Sequence, residues 1–276
     1  MRSIKFILLL TLIAGGAWWL WLSDSSIKEV VSQYIENGEI LTLEAKYTPE
    51  QIMEINRREL LTDTKTYKDS ALKYYPYLLM EVKYVQPDKK TREGVILWGM
   101  VDGEMVLSTD NWERTHGLED AILASATSND FKIINALARN KGYMTREELH
   151  KDLKLEADIV DPWLDSARQK HLIVQKGNDL QLHFEDPKIP SLPQTKFKQY
   201  VVSKPYNFDQ RVSKKYSKTQ IERISRAIFG QDFTIRSTKE VYLPVYHIEV
   251  QNGDGSVMDS AWNAITGVRI TSSYQG

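Results

Sequence analysis

The sequence predicts a multidomain α+β protein with an N-terminal transmembrane helix, and three observations indicate this fold class. Residues 6–22 contain no charged side chain, stretches of helical and of alternating apolar pattern succeed one another, and three prolines mark a linker at residues 186–194. The chain has 276 residues, of which 42% are hydrophobic and 26% charged. This composition is typical of a globular protein, and the length is enough for several small domains.

Residues 6–22 predict a single-pass anchor. A helix of this length extends about 26 Å, close to the ~30 Å hydrocarbon core of a bilayer. Arg2 and Lys5 precede the apolar run and Asp24 follows it, which favours a cytoplasmic amino end. We therefore expect a protein of the inner (cell) membrane, with the bulk of the chain extracytoplasmic, on the periplasmic side.

Two other interpretations of this run stay open. Gly15, Gly16 and Ala17 are small residues of the kind that signal peptidases cleave after, so the run also resembles a signal peptide. Cleavage after Ala17 would leave five large apolar residues, 18–22, at a free amino end, whereas three Trp at one end of a span are typical of an interfacial belt. The run could also be a buried helix of a soluble protein.

Residues 24–117 predict a small α+β domain. Thr48, Pro49 and Gln51 form a capping-box start for a helix that extends to about Leu61. Alternating patterns then predict strands at residues 77–84, 94–101 and 104–107. Asp102-Gly103 between the last two strands is a two-residue hairpin signal, which explains these residues better than an acidic site of Asp102 and Glu104 would.

Residues 118–186 predict three helices followed by two short strands. The helices span residues 129–140, a segment that starts at the capping box of Thr145 and Glu148, and residues 156–170. The strands span residues 172–175 and 180–184.

This order, carried by TREELHKDLKL and ARQKHLIVQKGNDLQL, resembles the winged helix-turn-helix. The resemblance implies DNA binding through the third helix. Pro162 departs from the pattern, because it requires that helix either to kink or to start late with Asp161 as its cap.

The charge of the third helical segment argues against DNA as a partner. Its acidic residues outnumber its basic ones and would be repelled by phosphates. We therefore interpret this domain as a protein-contact or spacer module, in which Trp163 is either an exposed anchor or a core residue. The candidate partner-binding residues here are Asp158, Asp161, Trp163 and Asp165.

Residues 196–276 predict a domain of one helix and an antiparallel sheet. The helix spans residues 219–229, and strands are predicted at 196–202, 233–237, 241–251 and 257–263. The stretches YLPVYHIEV and NAITG resemble the PepSY module, although Asn263 replaces the aspartate that this family favours. The resemblance implies an extracytoplasmic domain associated with regulation of peptidases. Alternatively, Thr266-Gly267 simply closes a hairpin.

The net charge of −1 is unevenly distributed. Residues 24–117 carry 12 basic and 17 acidic side chains, residues 118–187 carry 9 and 13, and residues 188–276 carry 13 and 7. The basic stretch at 204–218 predicts contact with an acidic partner or an anionic surface, unless it is a solvated face. Its candidate partner-binding residues are Lys214, Lys215 and Lys218.

The chain shows no pattern typical of catalysis. It lacks cysteine, its five histidines have no metal-ligand spacing, and no nucleotide-binding or nucleophile motif occurs. We therefore expect no cofactor, no metal and no enzymatic activity. The favoured function is a non-catalytic, membrane-anchored extracytoplasmic protein that contacts other membrane or envelope proteins in an assembly or regulatory complex. The alternatives are a membrane-tethered DNA-binding transcriptional regulator and an envelope hydrolase.

Overall fold

A long antiparallel ribbon of two strands, β2 (Lys65–Val85) and β10 (Phe233–Asn252), forms the centre of the fold. The computed structural model describes residues 39–62, 64–86, 88–205 and 210–270. The ribbon belongs to a mixed eight-stranded sheet, whose other strands are β1 (Glu39–Leu43), β3 (Thr91–Gly99), β4 (Met105–Ser108), β5 (Glu113–Arg114), β9 (Val201–Pro205) and β11 (Val257–Asn263). The strand order is β5-β4-β3-β2-β10-β1-β9, with β11 also paired to β10.

This sheet corrects the predicted fold class, in which the C-terminal segment has an antiparallel sheet of its own. β10 pairs with β2 over nearly its full length, and β1 runs parallel to β10 with Thr42 opposite Tyr242. The two strands predicted at 233–237 and 241–251 are one strand, in which the register shifts between Ile235 and Ser237. Alternation identifies a strand but not its partner, so a pairing between segments this far apart in the sequence is not visible in the local pattern.

The transmembrane helix of the predicted fold class has no counterpart among the described residues. Within residues 39–270, apart from the short undescribed gaps, no helix has the length and apolarity needed to cross a membrane. The predicted anchor at residues 6–22 lies outside the described residues.

The middle of the chain forms a compact unit of helices and a small sheet, which we call the winged unit. Its elements are α3 (Leu118–Leu123), α4 (Ser128–Arg139), β6 (Tyr143–Thr145), α5 (Arg146–Leu153), α6 (Ala157–Gln169), β7 (Ile173–Lys176) and β8 (Asp179–Leu182). The three strands form a sheet in the order β6-β8-β7. Capping boxes at Thr127 and Thr145 start α4 and α5, and the second of these confirms the predicted helix start.

Helix α6 contains Pro162 without starting late. The helix begins at Ala157 with Glu156 as its N-cap, so of the two alternatives for Pro162 the late start with Asp161 as cap is wrong. A proline at this position removes one intrahelical hydrogen bond near the amino end of the helix. The buried Val160, Leu164 and Ala167 hold the helix against the rest of the winged unit.

One hydrophobic core joins the winged unit to the sheet. Met80 and Trp98 from the sheet pack in the same cluster as Phe131 of α4 and Leu164 of α6. Helix α7 (Lys218–Phe229) completes this layer and contacts both α3 and α4. Burial of each such large side chain contributes about 1.5–3 kcal/mol, so the two units are expected to unfold together.

The remaining helices cover the far half of the ribbon on the same side of the sheet. Helices α1 (Pro49–Ile55) and α2 (Arg57–Leu60) bury Ile52 and Leu60 against Ile248, Val250 and Trp262. The prediction of one helix from Pro49 to about Leu61 is corrected by a break at Asn56.

A buried carboxylate connects the sheet to the start of the winged unit. One oxygen of Glu104 accepts hydrogen bonds from the backbone N–H groups of Gly117, Leu118 and Glu119, at 3.0, 3.0 and 3.1 Å. The other oxygen accepts from the Thr115 hydroxyl at 2.5 Å. Burial raises the pKa of Glu104, and these hydrogen bonds oppose that rise. Glu104 therefore acts as a remote cap for α3.

Candidate protein-contact surfaces

The outer face of α6 is exposed and acidic. Asp158, Ile159, Pro162 and Asp165 all point away from the core, at spacings that place them on one side of the helix. Ile159 leaves 43% of its surface in solvent. Arg168 forms an ion pair with Asp165 at 2.9 Å and so offsets one of the two acidic charges. We call these four residues the α6 face.

The other two predicted residues of α6 serve the fold. Asp161 bonds to Arg146 of α5, with Arg146 Nε at 3.1 Å from one carboxylate oxygen. The hydrogen bond from Arg146 holds the pKa of Asp161 below its usual range. Trp163 is half-buried against the core, and Lys132 Nζ lies 4.3 Å from its ring centroid. The core interpretation of Trp163 therefore fits its position better than an exposed anchor.

The three predicted basic residues each lie beside a carboxylate of the same chain. Lys214 Nζ is 2.5 Å from Glu240, Lys215 Nζ is 2.7 Å from Glu119, and Lys218 Nζ is 3.9 Å from Glu222. They come from the segment before α7 and from its first residue, and not from the α6 face.

The uneven charge along the sequence is partly balanced by contacts between the two parts of the chain. Among the described residues, five cations after residue 187 pair with carboxylates that precede them by many positions, whereas Lys214 and Lys218 pair with carboxylates of the C-terminal part. Such exposed pairs contribute about 0–1 kcal/mol each, so they add little to the stability of the fold. The pairs between the two parts of the chain are Lys188–Glu113, Lys198–Asp110, Lys215–Glu119, Arg236–Glu93 and Arg269–Glu59.

A half-open cleft of about 850 Å³ lies between the winged unit, the end of the ribbon and the proline-containing linker. We call it the linker cleft. Helix α4 contributes Ala138 and Arg139, α7 contributes Ile228 and Phe229, and β2 contributes Tyr84. This site is not visible in the sequence, because its walls come from four separate segments. Its only sequence signal was the spacing of Pro187, Pro190 and Pro193.

The linker is fastened at both ends. His116 and Lys188 exchange two backbone hydrogen bonds of 3.1 Å, and the Thr195 N–H donates to the Val95 carbonyl at 2.7 Å. Between these points the Tyr84 hydroxyl donates to the Gln194 side chain at 3.0 Å. The wall of the linker cleft is therefore preformed, as is usual for binding sites.

A hydrogen-bonded chain of Tyr75, His247 and Asp259 joins three strands on the other face of the sheet. His247 Nε2 lies 2.9 Å from the Tyr75 hydroxyl, and Nδ1 lies 3.0 Å from Asp259. Burial, together with the charge of Asp259, raises the pKa of Tyr75 to about 12. Because Tyr75 is only 3% exposed, we interpret these hydrogen bonds as a clamp between the three strands.

The turn after β11 accounts for the residue that departs from the PepSY pattern. The side-chain oxygen of Asn263 accepts from the backbone N–H of Ile265 at 2.8 Å and of Thr266 at 3.3 Å. Gly267 has φ 69°, a left-handed conformation that favours glycine. These contacts are those of a tight turn that returns the chain along β11.

Comparison with protein-family models, with curated proteins and with solved structures finds no match. Among the residues that the structure describes, no three His, Asp or Glu side chains are grouped so that they could hold a metal ion.

Proposed function

We propose that this chain is a non-catalytic protein that acts by protein–protein contacts in an assembly or regulatory complex, and that the α6 face makes one of these contacts. The observation that carries the proposal is the exposed Ile159, which lies between Asp158 and Asp165 on a helix whose inner side is fully packed. An apolar residue surrounded by polar ones, on a rigid helix, suits the surface of another protein.

The charge of this face disfavours the DNA-binding alternative. A helix that enters the major groove gains affinity by neutralising phosphates with Lys and Arg. The α6 face presents two aspartates, and the nearby Arg168 is already paired with Asp165. Phosphates would therefore be repelled by the residues that they approach first.

Site-specific photo-crosslinking in the source cells tests the proposal. A photoreactive amino acid replaces Ile159 in one variant and Ile55 in a matched control, since Ile55 is also an exposed isoleucine on a helix. We expect a discrete adduct with one protein at position 159 and none at position 55. Equal adducts at both positions, or none at 159, would contradict a contact at the α6 face.

Fluorescence anisotropy with labelled duplex DNA tests the alternative. At about 0.15 M salt, non-specific DNA-binding proteins bind with Kd values of roughly 10⁻⁴–10⁻⁶ M. We expect no saturable binding in this range. Saturation at micromolar protein that falls as salt rises would favour the DNA-binding regulator instead.

A further inference from the structure

We propose that the linker cleft is a second binding site, and that it takes an extended peptide segment of a partner protein in which an apolar side chain stands next to a carboxylate. This site is built from other elements than the α6 face. The inference therefore does not depend on the function proposed above.

The apolar part of the inference comes from side chains that the fold leaves in solvent. Val85 and Leu192 are 41% and 39% exposed, and both line the linker cleft. Ile228 and Phe229 form part of its lining and are only partly buried by the core. Two exposed aliphatic residues in one concavity indicate a surface that a ligand covers, whereas single exposed ones need no explanation.

The backbone of the linker indicates an extended chain as the ligand. The N–H groups of Ile189, Ser191 and Leu192 have no hydrogen-bond acceptor within the described part of the chain. Extended peptides recognise such backbone groups by main-chain hydrogen bonds and place their side chains in adjoining pockets. A small ligand is usually enclosed over about 70–90% of its surface. The half-open shape of the linker cleft therefore suits an extended peptide that passes through it better than it suits an enclosed small ligand.

The charges that line the linker cleft indicate the carboxylate. Lys89, Arg139 and Lys188 are its basic residues, and Asp232 is the one acidic residue among the described lining. Arg139 and Lys188 form exposed ion pairs with Asp152 and Glu113, which a ligand can replace at little cost. Lys89 has no ion-pair partner among the described residues, so it is the cation that a ligand carboxylate would meet first.

Peptide selection on the full chain tests the inference. A library of random twelve-residue peptides is selected against the immobilised protein, and the affinity of each enriched peptide is measured by fluorescence anisotropy. We expect enrichment of an aliphatic or aromatic residue next to Asp or Glu, with Kd of about 1–100 µM. The affinities are then remeasured with variants of the linker cleft.

Three substitutions and one control locate the binding. Leu192→Asp removes an exposed apolar contact, and Ala138→Trp fills the linker cleft; each is expected to weaken binding about tenfold or more. Lys89→Glu is expected to weaken it about three- to tenfold by reversing the charge. The control Ile55→Asp lies on α1 and should change the affinity less than about twofold. Thermal unfolding checks that every variant is folded. If Ala138→Trp does not fold, Leu192→Asp still tests the inference, because Leu192 is exposed and its substitution should not disturb the core.

Other occupants would appear as distinct results, each of which overturns the proposal. Selected peptides that bind Leu192→Asp and the parent equally would place the site elsewhere. One-to-one binding of dodecanoate without any enriched peptide would identify a small amphiphile as the ligand. A synthetic peptide of residues 24–38 that binds more tightly than every selected sequence would identify a segment of the same chain.

Discussion

The α6 face and the linker cleft differ in charge, in shape and in how the chain builds them. The α6 face is convex and acidic, and all four of its residues lie within eight positions on one helix. The linker cleft is concave and mainly basic, and it needs α4, α7, β2 and the linker together. The α6 face, which one helix forms, is kept by any rearrangement that leaves that helix folded. The linker cleft, by contrast, depends on the relative position of segments that are distant in the sequence.

The two surfaces also differ from the rest of the chain in which charged residues are available to a partner. Asp161 and Lys214 are bound to other residues of the chain, although their sequence context suggested a partner. Lys89 was not predicted as a partner-binding residue. It nevertheless has no ion-pair partner among the described residues, so its charge is available to a ligand. A charged residue in a sequence is stronger evidence for binding when the fold leaves it unpaired and places apolar surface beside it.

The largest effect is expected from the two sides of α6. Leu164→Ala removes a side chain that is 3% exposed and should lower the free energy of unfolding by about 2–5 kcal/mol, because a cavity remains. Ile159→Asp on the outer face should change it by no more than about 0.5 kcal/mol. Urea unfolding measures both. Equal losses would show that Ile159 belongs to the core and that the α6 face is not free.

The next effect concerns the junction between the sheet and the start of the winged unit, where Glu104 caps α3. Glu104→Ala leaves the N–H groups at the start of α3 without their acceptor and should cost about 2–4 kcal/mol. Glu93→Ala is the matched control, since Glu93 is exposed and pairs with Arg236 on the surface. Its loss should stay below about 1 kcal/mol. If both variants unfold at the same urea concentration, Glu104 does not hold the junction.

A smaller effect is expected from salt. Raising NaCl from about 0.05 to about 0.5 M should weaken binding of an acidic peptide at the linker cleft about three- to tenfold, because exposed charges are screened. In Lys89→Glu the salt dependence should shrink or change sign. Affinity that is independent of salt in the parent protein would show that the basic lining does not contact the ligand.

The smallest expected effect is a change in the pKa of Asp161 on α6. Because Arg146 lowers the pKa of Asp161, the pair stabilises the fold above the usual Asp pKa of 3.8, and this contribution is lost as the pH falls through the folded pKa. In Arg146→Ala the pKa should return upward toward its usual value. Carboxyl NMR titration measures the change. An unaltered titration would mean that Arg146 is not the partner and that Asp161 is available to the α6 face.

The sequence predicted elements whose signals are local and failed where partners are distant. The capping box of Thr145 and the strand at Val257–Asn263 lie where the pattern indicates, because each depends on neighbours a few positions away. The β2–β10 pairing joins residues separated by more than 140 positions, and no local period specifies it. The linker cleft was missed for the same reason. The prolines of residues 186–194 predicted a linker, but not the surfaces that the linker faces.

By the two proposals above, the α6 face and the linker cleft are separate binding surfaces. The most direct test is the affinity of one selected acidic peptide for the parent, for Ile159→Asp and for Leu192→Asp under identical conditions. We expect Ile159→Asp to bind within about twofold of the parent and Leu192→Asp about tenfold or more weakly. A comparable loss in both variants would contradict the claim, because it would mean that the two surfaces bind as one.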